Sequence, residues 1–104
     1  MIVVTTDFVP GKKIIKTLGV AKGNTIRARH IGHDLAAFFR NIVGGEIRDY
    51  TKMMAESREQ AIDRMIEDAK RMGANAVVNV RFATSMIMQM ASEILVYGTA
   101  VIVE

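Results

Sequence analysis

The chain has 104 residues, half of them apolar, with 14 lysines and arginines against 11 aspartates and glutamates, a formal net charge of +3. That length fits a single domain over residues 1–104 with ample material for a core. The lack of cysteine excludes disulfides, thiolate metal sites and cysteine nucleophiles, and suits a reducing cytoplasm.

The opening MIVVTTD has no basic start and no long apolar run, so neither a signal peptide nor a membrane span is expected. Ile2 to Thr5 is a short β-type run. Val9-Pro10-Gly11-Lys12 reads as a turn, because Pro presets φ at the second position and Gly supplies positive φ at the third. Ile14 to Ala21 is an apolar strand. Lys22-Gly23-Asn24-Thr25 has hairpin chemistry, and Thr25 to His30 alternates like a half-exposed strand. Asp34 stands as the N-cap of a short helix from Leu35 to Val43, and Gly44-Gly45 ends it. Thr51 to Met72 is the long helix, with Met54, Ala61, Met65, Ala69 and Met72 on one stripe. Glu67 and Arg71 form a favourable i,i+4 pair, and Gly73 is placed to end the helix.

Ala76 to Thr84 is a strand with Val78, Val80 and Phe82 on one face and Asn79, Arg81 and Ala83 on the other. Glu93 to Val103 is apolar on both faces: Ile94, Val96, Ala100 and Ile102 against Leu95, Tyr97, Val101 and Val103. Such a strand is buried on both faces. One long helix covers one of them, and a second copy of the chain is the simplest cover for the other.

The segments GNTIRARHIGHD, RNIVGGEIRDYT, RMGANAVVNVRF and SEILVYGTAV together resemble the YbjQ family, an uncharacterised bacterial and archaeal group also described as heavy-metal-binding. The resemblance spans essentially the whole chain. It implies an α+β fold with a two-layer β-α-β-β, dodecin-like core and a three-stranded antiparallel sheet. The last strand lies between the other two, and a short helix and short accessory strands complete the fold. It also implies a ring-shaped homo-oligomer, a pentamer. The chain departs from the family pattern after Thr84-Ser85, where a Glu or Gln is usual at position 86 and a Gly at position 90. Here the run is Met86-Ile87-Met88-Gln89-Met90, and Met88 keeps the family methionine.

Candidate chemistry clusters between Gly23 and Asp49. His30, His33 and Asp34 form an H-x-x-H-D group, and imidazole with carboxylate suits a transition metal. Two histidines alone fall short of a usual zinc set, so symmetry copies in a ring would supply the rest; hydrogen-bonding histidines at an interface are the plainer reading. Arg27, Arg29 and Arg40, with Asn24, Thr25 and Asn41, could hold an anion, since arginine recognises phosphate or carboxylate bidentately, and Glu46 is counted in the same ligand site. Ion pairs with Glu46 or Asp49 account for the same arginines. Met86, Met88 and Met90 alternate, and thioethers on one face would select Cu(I); methionine equally fills irregular contacts. Gly44-Gly45-Glu46 lacks the Gly-Lys-Ser/Thr ending of a phosphate loop.

Basic residues gather early: Lys12, Lys13, Lys16, Lys22, Arg27 and Arg29 face only Asp7 in the stretch from Met1 to His30. The aromatics are few and scattered, with no platform for stacking bases, so nucleic acid is not an expected partner. Three functions remain open: a non-enzymatic cytoplasmic ring binding a metal ion or small ligand near subunit boundaries, a structural or regulatory scaffold that meets another protein, and a small enzyme.

Overall fold

The computed structural model describes residues 1–28, 46–88 and 91–104. In chain order it holds β1 (Ile2–Val3), β2 (Ile14–Ala28), helix α1 (Glu46–Arg71), β3 (Ala76–Met88) and β4 (Ala91–Val103). The strands form one sheet in the order β1-β3-β4-β2. The β-α-β-β core is therefore present, and β4 lies between β3 and β2, antiparallel to both. The expected three-stranded antiparallel sheet needs one correction. The N-terminal run joins it as a fourth strand, parallel to β3 through the Ile2–Ala76 and Val3–Val77 pairs, and makes the sheet mixed.

The second correction concerns the expected hairpin at Lys22–Thr25. There is no turn there: β2 runs unbroken for 15 residues and stays paired with β4 through Gly23. Gly23 is in the strand for clearance. A Cβ on it would collide with the backbone of α1, at Ala61 O and Met65 N, and lie 2.8 Å from Arg64 C. Helix and strand can approach this closely only where both present small groups, here Gly23 against fully buried Ala61.

Helix α1 begins at Glu46, ahead of the expected Thr51, because the apolar stripe that marks it starts only at Met54. Ser57, Ala61, Met65 and Ala69 recur at every fourth position and are fully buried. Its C-terminus is closed by paired bonds from Gly73 N–H to Lys70 O (3.0 Å) and Ala74 N–H to Ala69 O (3.1 Å), with Gly73 at φ +90°. This is a Schellman cap, which favours a residue without a Cβ at that position. The Pro10-Gly11 turn is also as read, with Lys12 N–H bonded to Val9 O at 3.0 Å and Gly11 at φ +77°.

In β3 the expected alternation fails at Asn79. Its φ is +54°, and the pairing with β4 shifts register between Val78 and Arg81. Asn tolerates this left-handed conformation better than most residues, and the bulge moves Val78 and Val80 to opposite faces. Val80 joins the core beneath α1 with Val77, Ile94, Val96 and Ala100. Val78 joins a second cluster on the other face with Val9, Ala76, Val101 and Val103, flanked by Ile2, Val4 and Ile14. The chain's own N-terminal segment, up to Ile14, thus covers one end of the face expected to need a second copy. The short helix expected over residues 35–43, with its Asp34 cap, lies outside the described residues. Among those described, no helix is long and apolar enough to cross a membrane.

Candidate functional site

The uncovered end of that outer face meets α1 around the edge of β2. As the last strand of the sheet among the described residues, β2 has no strand there on its outer side. The helix supplies partners for two of its backbone groups. Lys22 N–H donates to Asp68 Oδ2 at 3.0 Å, and Arg64 Nη1 donates to Asn24 O at 2.6 Å. Arg64, Asp68 and Arg71 follow one another at i,i+4 and i,i+3 spacing, so they form a ridge beside the buried stripe.

Between this ridge and the outer face is a shallow cleft lined by Lys22, Asn24, Asp68, Arg71, Glu93 and Leu95. The strand register sets its floor: Asn24 pairs with Leu95, and the flanking pairs are Lys22–Tyr97 and Ile26–Glu93. Asp68 also accepts from Arg71 Nη2 at 3.0 Å. The Lys22 N–H bond is the main cause that holds the Asp68 carboxyl below the usual carboxylate range; burial opposes it, and the hydrogen bond and charge of Arg71 and the charge of Lys22 add to the lowering. Arg71 therefore pairs with Asp68 rather than with Glu67, because Asp68 is already anchored to the strand. On the other side Asn24 Nδ2 donates to Glu93 Oε2 at 3.2 Å, and Ser85 Oγ donates to Glu93 Oε1 at 3.5 Å. A second depression, along Glu56, Glu59 and Asp63, is lined among the described residues by α1 alone, so no second element converges on it.

Of the residues singled out in the sequence, Asn24 lies in the cleft. Arg27 pairs with Ser92 in the β2–β4 ladder and Glu46 opens α1. Arg29, His30, His33, Asp34, Arg40 and Met90 lie outside the described residues. Among the described residues, no three His, Asp or Glu side chains form a metal-binding group. Of the methionine run, Met86 pairs with Ser92 and Met88 with Ala91, with a shift of register between the two pairs. Met86 itself is 77% exposed.

Lys22, Arg64, Asp68, Arg71 and Glu93 are not anticipated as a site by the sequence. They are scattered from Lys22 to Glu93, and only the fold assembles them. The one sequence signal is the spacing of Arg64, Asp68 and Arg71. A polar ridge directly beside a helix's buried stripe must run along the margin of whatever the stripe covers.

Comparison with known proteins bears on the same chain. A family model of the YbjQ type, described as "Putative heavy-metal-binding", matches residues 1–104. A UPF0145 protein of Methanosarcina acetivorans is 60% identical over 101 residues, covering 97% of this chain and 95% of the relative. One from Dehalococcoides mccartyi is 61% identical over the full length of both, and one from Pyrococcus furiosus is 57% identical over this whole chain and 91% of its own. A solved structure from Pediococcus pentosaceus, a protein of unknown function assigned to the DUF74 family, superposes with a TM-score of 0.69 at 12% identity, over 100% of this chain and 98% of the other. That last likeness concerns the fold alone. With a family model matching end to end and relatives near 60% identity, the chain belongs to the YbjQ/UPF0145 family.

Proposed function

We propose that this protein is a cytoplasmic binding protein that takes up a transition-metal ion or a small ligand near the boundaries between subunits of a homo-oligomeric ring. The observation that carries the metal reading is the His30-x-x-His33-Asp34 group in a chain whose family is described as heavy-metal-binding. The donor set fits such an ion. Two imidazoles and one carboxylate give the three protein ligands of an open zinc-type site, and the same atoms suit nickel or copper. Neutral imidazole is the binding form, so affinity falls as pH drops below about 6.5, where an ordinary histidine protonates. Isothermal titration with Zn(II), Ni(II) and Cu(I), on the parent and on a His30→Ala/His33→Ala double variant, tests it. Binding by the parent and loss in the double variant is the expected result. Equal binding by both would remove the histidines from the site.

The small-ligand reading is favoured by a separate observation, the charged cleft that holds Asn24 between α1 and the outer face of the sheet. It stands or falls independently of the histidines.

A further inference from the structure

The cleft beside the β2 edge has an uneven supply of hydrogen-bonding groups. Each carboxylate oxygen in it already accepts one hydrogen bond, half of its capacity. Asp68 Oδ2 accepts from Lys22 N–H and Oδ1 from Arg71; Glu93 Oε2 accepts from Asn24 and Oε1 from Ser85. The Asn24 carbonyl is taken by Arg64. The donors are less engaged. An ammonium offers three N–H groups and a guanidinium five. Among the described residues no hydrogen bond engages the Lys22 ammonium, and Arg71 spends one nitrogen on Asp68 while its side chain stays 70% exposed. The Asp68 carboxylate stays ionised, because its pKa is lowered, and it braces Arg71. Leu95, half-buried, adds an apolar surface between these groups.

From this imbalance we infer that the cleft binds a small organic anion, with its oxyanion between Lys22 and Arg71 and its apolar body over Leu95. The inference rests on the small-ligand reading above and narrows it to one chemistry. The cleft is open to solvent on one side and has a volume of about 520 Å³, within the roughly 300–1,000 Å³ usual for small-molecule sites. Arginine favours a planar or tetrahedral oxyanion through paired N–H groups, and lysine adds a mobile point charge. This site joins Asn24 to Lys22 and Arg71, and it is separate from the grouping of Arg27, Arg29 and Arg40 expected from the sequence.

Amide-resolved NMR titration of the full chain tests the inference, with sodium succinate and inorganic phosphate as separate probes at constant ionic strength. The expected result is saturable shifts at Lys22, Asn24, Asp68, Arg71 and Leu95 with at least one probe. Stronger binding of succinate marks a carboxylate ligand, and stronger binding of phosphate a phosphorylated one. Lys22→Met and Arg71→Met should each weaken binding about tenfold, the worth of one charge-assisted hydrogen bond. Arg58→Met, on the exposed side of α1, should leave it unchanged. Unsaturable shifts spread over all basic residues, no shifts, or unaltered binding in the Lys22 and Arg71 variants would each overturn it. The metal titrations separate the two failures: metal binding through the histidines without anion binding here leaves the first reading intact.

Discussion

Gly23 shows how one atom can decide a layer spacing. The helix backbone lies where its Cβ would be, and the obstacles are Ala61 O and Met65 N, which cannot swing away as a side chain can. Gly23→Ala is therefore expected to cost at least about 1–3 kcal/mol, the usual range for overpacking, read as a lower midpoint in chemical denaturation. Met65 tests the same contact from the other side. It is fully buried at the centre of the stripe, so Met65→Ala should cost roughly 2–5 kcal/mol. An unchanged midpoint in either variant would show that helix and strand are not held at this distance. Asp68 links the same layers through charge. Its folded-state pKa lies below the unfolded value, so its contribution is full above about pH 4 and is lost as pH falls through the lowered folded value. The denaturation midpoints of the parent and Asp68→Asn should differ at neutral pH and converge in acid. A gap that persists at low pH would assign the effect to packing instead of ionisation.

At the scale of elements, α1 serves both as the cover of the core and as the guard of an edge. Exposed strand edges invite pairing with other chains, and α1 answers at Lys22 and Asn24 with the Asp68 and Arg64 bonds. This scale also shows what local sequence could reveal. The α1 stripe, the Gly73 cap and the Pro10-Gly11 turn were legible because their signals are local: apolar spacing, a left-handed glycine, a preset φ. The continuity of β2 was not. Gly-Asn is good turn chemistry locally, and only the helix, at Ala61 and Met65 much later in the chain, gives Gly23 its other purpose. The Asn79 bulge was hidden for a related reason, since Val78-Asn79-Val80 is also a perfect alternation on paper. Asn24 stood out in the sequence and lines the cleft, but its neighbours there, Lys22, Asp68 and Arg71, meet it only through the fold.

At the scale of the whole molecule, the shape is long. Its radius of gyration is 17.3 Å and its extents are 54 × 21 × 16 Å, against about 13 Å for a compact domain of this length. This extended form leaves apolar surface that the described residues do not cover. The N-terminal segment covers Val101 and Val103, but further along the outer face Val20 is 64% exposed, Ile26 61% and Tyr97 39%. These three, with half-buried Leu95, sit on neighbouring strands in adjacent rows. These apolar side chains alternate with Thr99, Lys22, Asn24 and Glu93 across the same rows; exposed apolar groups rimmed by polar ones mark an interaction surface, and a ring of five copies is what the family resemblance implies. A homo-oligomer built on this face would bring each anion cleft, which shares Leu95, to the rim of a subunit contact. Light scattering after size exclusion should give a pentamer at micromolar concentration. Ile26→Asp, which places a charge on the patch without touching the core, should shift the protein toward monomer while its circular dichroism stays unchanged. A stable monomer of the parent at micromolar concentration would refute self-association. A pentamer unmoved by Ile26→Asp would place the contacts elsewhere, with exposed Phe82, Met86 and Ile87 on β3 as the next surface to substitute.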